Sequence, residues 1–222
     1  MLTHIPGVLP RPAVERVRAL LAAGAFEDGT ATASGAAAAV KRNLQLVSDP
    51  ARRKPIDEIV TPAILGNARF AEVAFPKILA PPTYNRYDVG MTYGDHVDAP
   101  FLSAGRVRAD VSLTLFLSDP QDYDGGELVM RHGDATFSAK HPAGDLVAYP
   151  TTSLHHVSPV TRGRRLAAVS WCQSYVADPH HRRILAELGE AKAFLDRTAP
   201  DSEAASAMRN GLFNLIRLWW QP

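Results

Sequence analysis

The sequence predicts an α+β protein whose mainly β, antiparallel core lies between helices. Three observations predict it. From Phe75 to Tyr175, short apolar runs recur about every ten residues, separated by Gly-, Pro- and Asp-containing turns. On both sides of that region the apolar residues instead repeat at helical spacing. The chain has 222 residues, 46% hydrophobic and 21% charged, which supports one large core with at most a small appendage.

The elements follow in order. Pro12 sits near a helix start, where its missing N–H costs nothing, and Val14, Val17, Leu20 and Leu21 form an apolar face. Residues 27–39 are small and polar and predict a loop leading to a short strand over 43–47. A second helix is predicted over about 56–71 on Ile56, Ile59, Val60, Ile64 and Leu65, with a kink or division at Pro62. Residues 78–80 and 83–89 read as strands broken by Pro81-Pro82. The clearest strand is 110–120, where Val111, Leu113, Leu115 and Leu117 alternate with Ser112, Thr114 and Phe116. Asp124-Gly125-Gly126 predicts a hairpin turn into a strand from Glu127. Further strands are expected at 136–139, 146–149, 155–160 and 165–175. Asp178-Pro179 then caps a helix with Ile184, Leu185, Leu188, Ala191, Phe194 and Leu195 on one stripe. A last helix after Pro200 carries Ala205, Met208, Leu212, Leu215, Ile216 and Trp219.

Composition excludes several classes. The net charge is +1 and the basic residues are scattered, which argues against a nucleic-acid partner. Arg52-Arg53-Lys54 reads as a solvated surface turn. The single cysteine, Cys172, lies among strand residues and reads as a buried, inert thiol. No secretory leader and no apolar run of membrane-spanning length is present, so a soluble cytoplasmic protein without a membrane partner is expected. The Trp219-Trp220 end could cover the core or a second copy, which leaves a homo-oligomer open.

His96-Val97-Asp98 carries the chemistry. Two apart in extended backbone, His96 and Asp98 face one side, so one short segment can present both to a metal. Alone the pair is near chance in a chain with 8 histidines. A second imidazole follows at His155 or His156, which face opposite sides of a strand. Two imidazoles and one carboxylate on one face of an ion leave the other face open, which suits non-haem Fe(II). Arg165 or Arg164, one of which points inward, lies just past the next turn. An inward arginine in an apolar interior needs an anion, and a dicarboxylate supplies one. His132, His141, His180 and His181 read as surface residues.

The segments NRYDVGMTYGDHVDAP (85–100), LTLFLSDPQDYDGGELV (113–129) and TTSLHHVSPVTRGRRLAAVSWCQSYV (151–176) resemble the bacterial PKHD-type hydroxylases. These belong to the prolyl 4-hydroxylase-like group of Fe(II)/2-oxoglutarate dioxygenases. The resemblance implies a double-stranded β-helix, or jelly roll, with flanking N-terminal helices. It places the dioxygenase domain at 1–176, with its β core at about 75–176, and a small C-terminal helical domain at 177–222. It implies His96, Asp98 and His155 as iron ligands, selecting His155 over His156. It makes Arg165 the anchor for the distal carboxylate of 2-oxoglutarate, with Tyr87, nine residues before His96, as a second donor. Tyr93 and Trp171 match aromatic positions beside the substrate pocket, although both also read as core aromatics.

The function so implied is hydroxylation of an unactivated C–H bond in a small-molecule or peptide substrate, using O2 and releasing succinate and CO2. The resemblance adds L-ascorbate as an accessory and a link to iron uptake. Two other readings stay open on the sequence. One is a non-catalytic sensor or regulatory protein that binds iron and 2-oxoglutarate. The other is a cupin-like metalloenzyme that does not use 2-oxoglutarate.

Overall fold

The computed structural model describes residues 2–33, 35–102 and 104–222, without the side chain of His132. In chain order the first elements are β1 (Thr3–Ile5), α1 (Arg11–Ala22), β2 (Phe26–Asp28), a 3-10 turn (Gly29–Thr32), α2 (Gly35–Ala39), β3 (Lys41–Arg42), β4 (Leu44–Leu46), α3 (Pro50–Leu65) and α4 (Ala68–Ala74). The β region follows with β5 (Pro76–Leu79), β6 (Thr83–Tyr87), β7 (Thr92–His96), β8 (Phe101–Leu102), β9 (Val107–Arg108) and β10 (Val111–Phe116). After a second 3-10 turn come β11 (Tyr123–Gly125), β12 (Leu128–His132), β13 (Ala135–Ala139), β14 (Leu146–Pro150), β15 (Leu154–Val157), β16 (Val160–Gly163) and β17 (Arg165–Ser174). Helices α5 (Pro179–Thr198) and α6 (Glu203–Trp219) complete the order.

The larger sheet runs β1-β14-β10-β17-β6-β4-β2, with β5 beside β17, and the smaller runs β13-β12-β15-β7-β3. All the pairings are antiparallel. Among the described residues the sheets stay separate, so the jelly roll is a sandwich rather than a closed barrel. Phe116, Leu128, Met130, Val147 and Tyr149 form one cluster from both sheets. The other face of the larger sheet is covered by α1, α3 and α4. There Leu113, Leu115 and Leu146 meet Val14, Val17, Leu21, Ile56, Val60 and Phe70. All six residues of β10 are therefore buried, the polar ones included. The neighbouring Cys172 is fully buried, and burial pushes its thiol up to about 12.

Several local expectations are corrected. Residues 27–39 are not a plain loop: they hold the end of β2, a 3-10 turn whose Asp28 cap accepts from Thr30 N–H, and the short α2. Ser34, within that stretch, lies outside the described residues. The second helix begins at Pro50, capped by Asp49, and runs through Pro55 and Pro62 to Leu65. Burial of Ile56, Val60 and Ile64 along one side holds it together despite the missing donors. The break falls at Gly66-Asn67, where the Asn67 side chain accepts from Phe70 N–H and starts α4. Arg52, Arg53 and Lys54 are accordingly helical, each near an acidic residue one turn away or less.

Asp124-Gly125-Gly126 is not a hairpin either. β11 pairs with β16 and β12 with β13 and β15, so the glycines carry the chain from one sheet to another. Gly125 has φ +68°, and a Cβ there would lie 2.0 Å from the Pro159 carbonyl oxygen. Only glycine fits that approach. The expected strand over 155–160 is likewise two strands, β15 and β16, divided at Ser158-Pro159.

α5 and α6 pack through Val176, Leu185 and Leu212 against Phe75, Leu215, Ile216 and Trp219. Ile184 and Phe194, expected on the buried stripe, are largely exposed. The tryptophan end covers its own chain: Trp220 stacks on Tyr175 at 4.0 Å and Trp219 on His181 at 4.0 Å. His141, too, is half-buried and stacks on His4. No helix is long and apolar enough to cross a membrane among the described residues.

Arg182 ties α5 to the β core. It is 5% exposed and donates to the carbonyls of Val176 (2.7 Å), Ala177 (2.8 Å) and Asp110 (3.1 Å). Arg182→Ala should lower unfolding free energy by about 2–4 kcal/mol, because it strands these acceptors. Urea denaturation checks this, with exposed Arg183→Ala expected to stay within about 0.5 kcal/mol of the parent.

Candidate active site

β7 and β15 lie side by side in the smaller sheet, with His155 opposite His96 in register. Asp98 follows two residues after the end of β7. One ligand atom from each of the three falls within a common 4.8 Å cluster. The Nε2 atoms of His96 and His155 lie 3.7 and 3.8 Å from Asp98 Oδ1, too far for hydrogen bonds. The rings are tilted at 51° with centroids 4.2 Å apart.

Each group is oriented by a second contact. His96 Nδ1 is 2.8 Å from the Gly94 carbonyl and His155 Nδ1 is 2.9 Å from the Ser153 carbonyl. A proton on each Nδ1 satisfies those acceptors and leaves both Nε2 lone pairs facing Asp98 Oδ1. Burial, and then the adjacent His155, hold His96 below the ordinary histidine range, so it stays a neutral ligand. Asp98 Oδ2 accepts from Ser112 Oγ at 2.7 Å and Trp171 Nε1 at 2.9 Å. Oδ1 is left for an ion. Two imidazoles whose Nε2 atoms converge on a half-satisfied carboxylate fit a divalent cation with open positions.

His156 faces the other way, its Nδ1 2.7 Å from Asp95 Oδ1. The two adjacent arginines divide similarly. Arg164 is exposed and pairs with Asp88 at 2.8 Å. Arg165 opens β17 with Val169 and Trp171 on the same side, lining the cavity that contains the cluster. That cavity measures about 280 Å³. Arg165 is 1% exposed, and its Nε has no hydrogen-bond partner. The rings of Tyr87 and Phe116 lie 5.1 and 5.8 Å from its guanidinium carbon. Among the described residues no carboxylate pairs with it. A buried guanidinium in that state fits an anion entering from the cavity. Tyr87 is buried beside it, and burial raises the phenol, which remains a neutral donor.

Tyr93 stacks on His96 at 3.6 Å and thus packs behind a candidate ligand while also lining the cavity. Trp171 holds Asp98 as well as lining the cavity. Several polar residues of the site went unread in the sequence: Ser112, which holds Asp98, and Thr114, Tyr149, Lys41, Gln45 and Asn85 in the cavity lining. One signal was present. Lys41, Asn43 and Gln45 alternate along the chain, and all are buried at 7%, 3% and 6% exposure.

A jelly-roll sandwich with this cluster and a buried arginine defines a class, the Fe(II)/2-oxoglutarate oxygenases. Residues 82–173 match the 2OG-Fe(II) oxygenase superfamily. A PKHD-type hydroxylase of Beijerinckia indica is 40% identical over 223 residues, covering 99% of each chain. One of Gluconacetobacter diazotrophicus is 43% identical over 224 residues, again covering 99% of each. A prolyl-4-hydroxylase of Pseudomonas putida shares the fold, with a TM-score of 0.54 at 19% identity, over 78% of this chain and 92% of that one. The chain belongs to the PKHD-type hydroxylases. Membership makes it an oxidoreductase and implies Fe(II) and 2-oxoglutarate.

Trp171→Phe keeps the ring but removes one of two hydrogen bonds to Asp98 Oδ2. A divalent ion titrated into this variant should bind about ten- to a hundredfold more weakly. Trp219→Phe, remote from the cluster, should leave the affinity unchanged.

Proposed function

We propose that the protein is a 2-oxoglutarate-dependent hydroxylase in which His96, Asp98 and His155 hold Fe(II). Arg165 and Tyr87 bind the distal carboxylate of the cosubstrate. The observation that carries the reading is Arg165, a buried and unpaired guanidinium in the same cavity as the cluster. A bidentate pair with a carboxylate satisfies that charge and sets the cosubstrate's orientation. When bound, Fe(II) and 2-oxoglutarate supply with O2 the oxidant for C–H hydroxylation, and succinate and CO2 are released.

The chain's own groups bind and position. Tyr87 donates its phenol proton beside Arg165. Ser112 and Trp171 fix Asp98 so that one oxygen faces the ion. Leu128, Val157 and the buried Tyr149 line the cavity and exclude water. Tyr93 and Trp171 border the substrate side. Residues 1–176 form the catalytic unit, with 177–222 as a helical domain docked through Arg182. A sensor of iron alone has no use for a dicarboxylate anchor; a sensor of both ligands differs from the hydroxylase in lacking turnover.

Purified protein given Fe(II), 2-oxoglutarate and O2 should release succinate, and its absence would shift the reading to a sensor. Arg165→Ala should raise the apparent KM for 2-oxoglutarate by about tenfold or more. An unchanged KM would refute that role for Arg165, and activity that needs no 2-oxoglutarate would point to a cupin-like metalloenzyme. Asp98→Ala and His155→Ala should lose bound iron, measured by metal analysis, while His156→Ala retains it.

A further inference from the structure

The cavity holds a second buried cation that the reading above leaves unused. Lys41 ends a stretch of small residues and opens the segment from Lys41 to Gln45. Through β3 this segment pairs with β7 in the smaller sheet, and through β4 with β6 in the larger. It thus crosses between the two sheets. Alternation points Lys41 and Gln45 into the cavity, where Asn85 of β6 joins them.

Lys41 is 7% exposed, and its Nζ donates to Thr32 Oγ1 at 2.8 Å. Its charge lies 5.3 Å from the centroid of the Tyr93 ring, and Tyr93 in turn stacks on His96. Among the described residues no carboxylate lies within ion-pairing distance of Nζ. Burial pulls the amine down to about 8, with Asp98 and Asp28 opposing that at longer range. At neutral pH it remains mostly protonated. The surrounding groups are ordered: Thr32 Oγ1 donates to Gln45 Oε1 at 2.8 Å, and Gln45 Nε2 donates to Asn85 Oδ1 at 2.8 Å. Ala33 and Ala37, also in the lining, leave space beside them. A buried ammonium with spare donors is costly unless an anion arrives to pair with it.

We propose that Lys41, supported by Thr32, Gln45 and Asn85, is the recognition site for a carboxylate on the substrate. The substrate class is therefore an organic acid, or a larger molecule presenting a carboxylate near the carbon to be hydroxylated. The inference rests on the hydroxylase reading, because Arg165 is taken to be occupied by the cosubstrate.

The test uses Zn(II)-loaded full-length protein with saturating 2-oxoglutarate, and paired probes: butyrate with butyramide, and benzoate with benzamide. Calorimetry or ligand-observed NMR gives the affinities. The carboxylates should bind the parent at least about tenfold more tightly than the amides. Lys41→Met should abolish that preference while leaving 2-oxoglutarate affinity intact. Its melting temperature should hold or rise, because an apolar side chain of similar length replaces an unpaired buried charge. Lys41→Arg should keep the preference.

Four results would overturn the proposal: no carboxylate preference in the parent, a preference that survives Lys41→Met, a marked fall in 2-oxoglutarate affinity in that variant, or a large drop in its melting temperature. The third would assign Lys41 to the cosubstrate and the fourth to the scaffold. Failure of the underlying hydroxylase reading looks different: the metal-loaded parent then binds no 2-oxoglutarate.

Discussion

The larger sheet is buried on both faces, and strand alternation decides what each face receives. Along β10, Leu113 and Leu115 meet the helices while Ser112, Thr114 and Phe116 turn to the sandwich interior. Along β17, Leu166, Ala168 and Cys172 pack outward, and Arg165, Val169 and Trp171 turn inward. A slip of one residue in either strand would exchange the apolar set for the polar one. It would place Arg164 in the cavity and take Trp171 away from Asp98. The helical layer thus holds the register on which the chemistry depends.

Charge in the interior follows a second rule. Arg182, Arg165 and Lys41 are all at least nine-tenths buried. Arg182 satisfies its donors on three backbone carbonyls and is structural. Arg165 and Lys41 lack such a set and face the cavity. The contrast separates a buried cation that finishes the fold from one whose partner comes from outside.

Much of this was legible from residue order. The alternation at 110–120, the Asp178-Pro179 cap and the inert Cys172 rest on local rules and hold in the structure. Spacing and resemblance brought out His96, Asp98, His155 and Arg165, and the fold brings all four to one cavity. Other features depend on contacts distant in sequence. Gly125-Gly126 has the chemistry of a hairpin turn, but the approach of Pro159 makes it a crossing between sheets. Pro62 reads as a kink or division, yet the buried side of α3 carries the helix past it to Leu65. The hydrogen bonds that hold Asp98 were illegible because Ser112 and Trp171 reach it from 14 and 73 residues away. Lys41 and Gln45 read as ordinary polar residues until their burial is known.

The crossing segment from Lys41 to Gln45 also divides the molecule's capacity for change. The three candidate iron ligands and their supports lie between Tyr93 and Trp171, whereas this wall of the cavity comes from a separate stretch of chain beginning at the Gly29 turn. Substitutions there can reshape what the cavity admits from outside the stretch that supplies the ligands. Part of the cavity's selectivity is thus encoded apart from its metal centre, while Tyr93 and Trp171 belong to both.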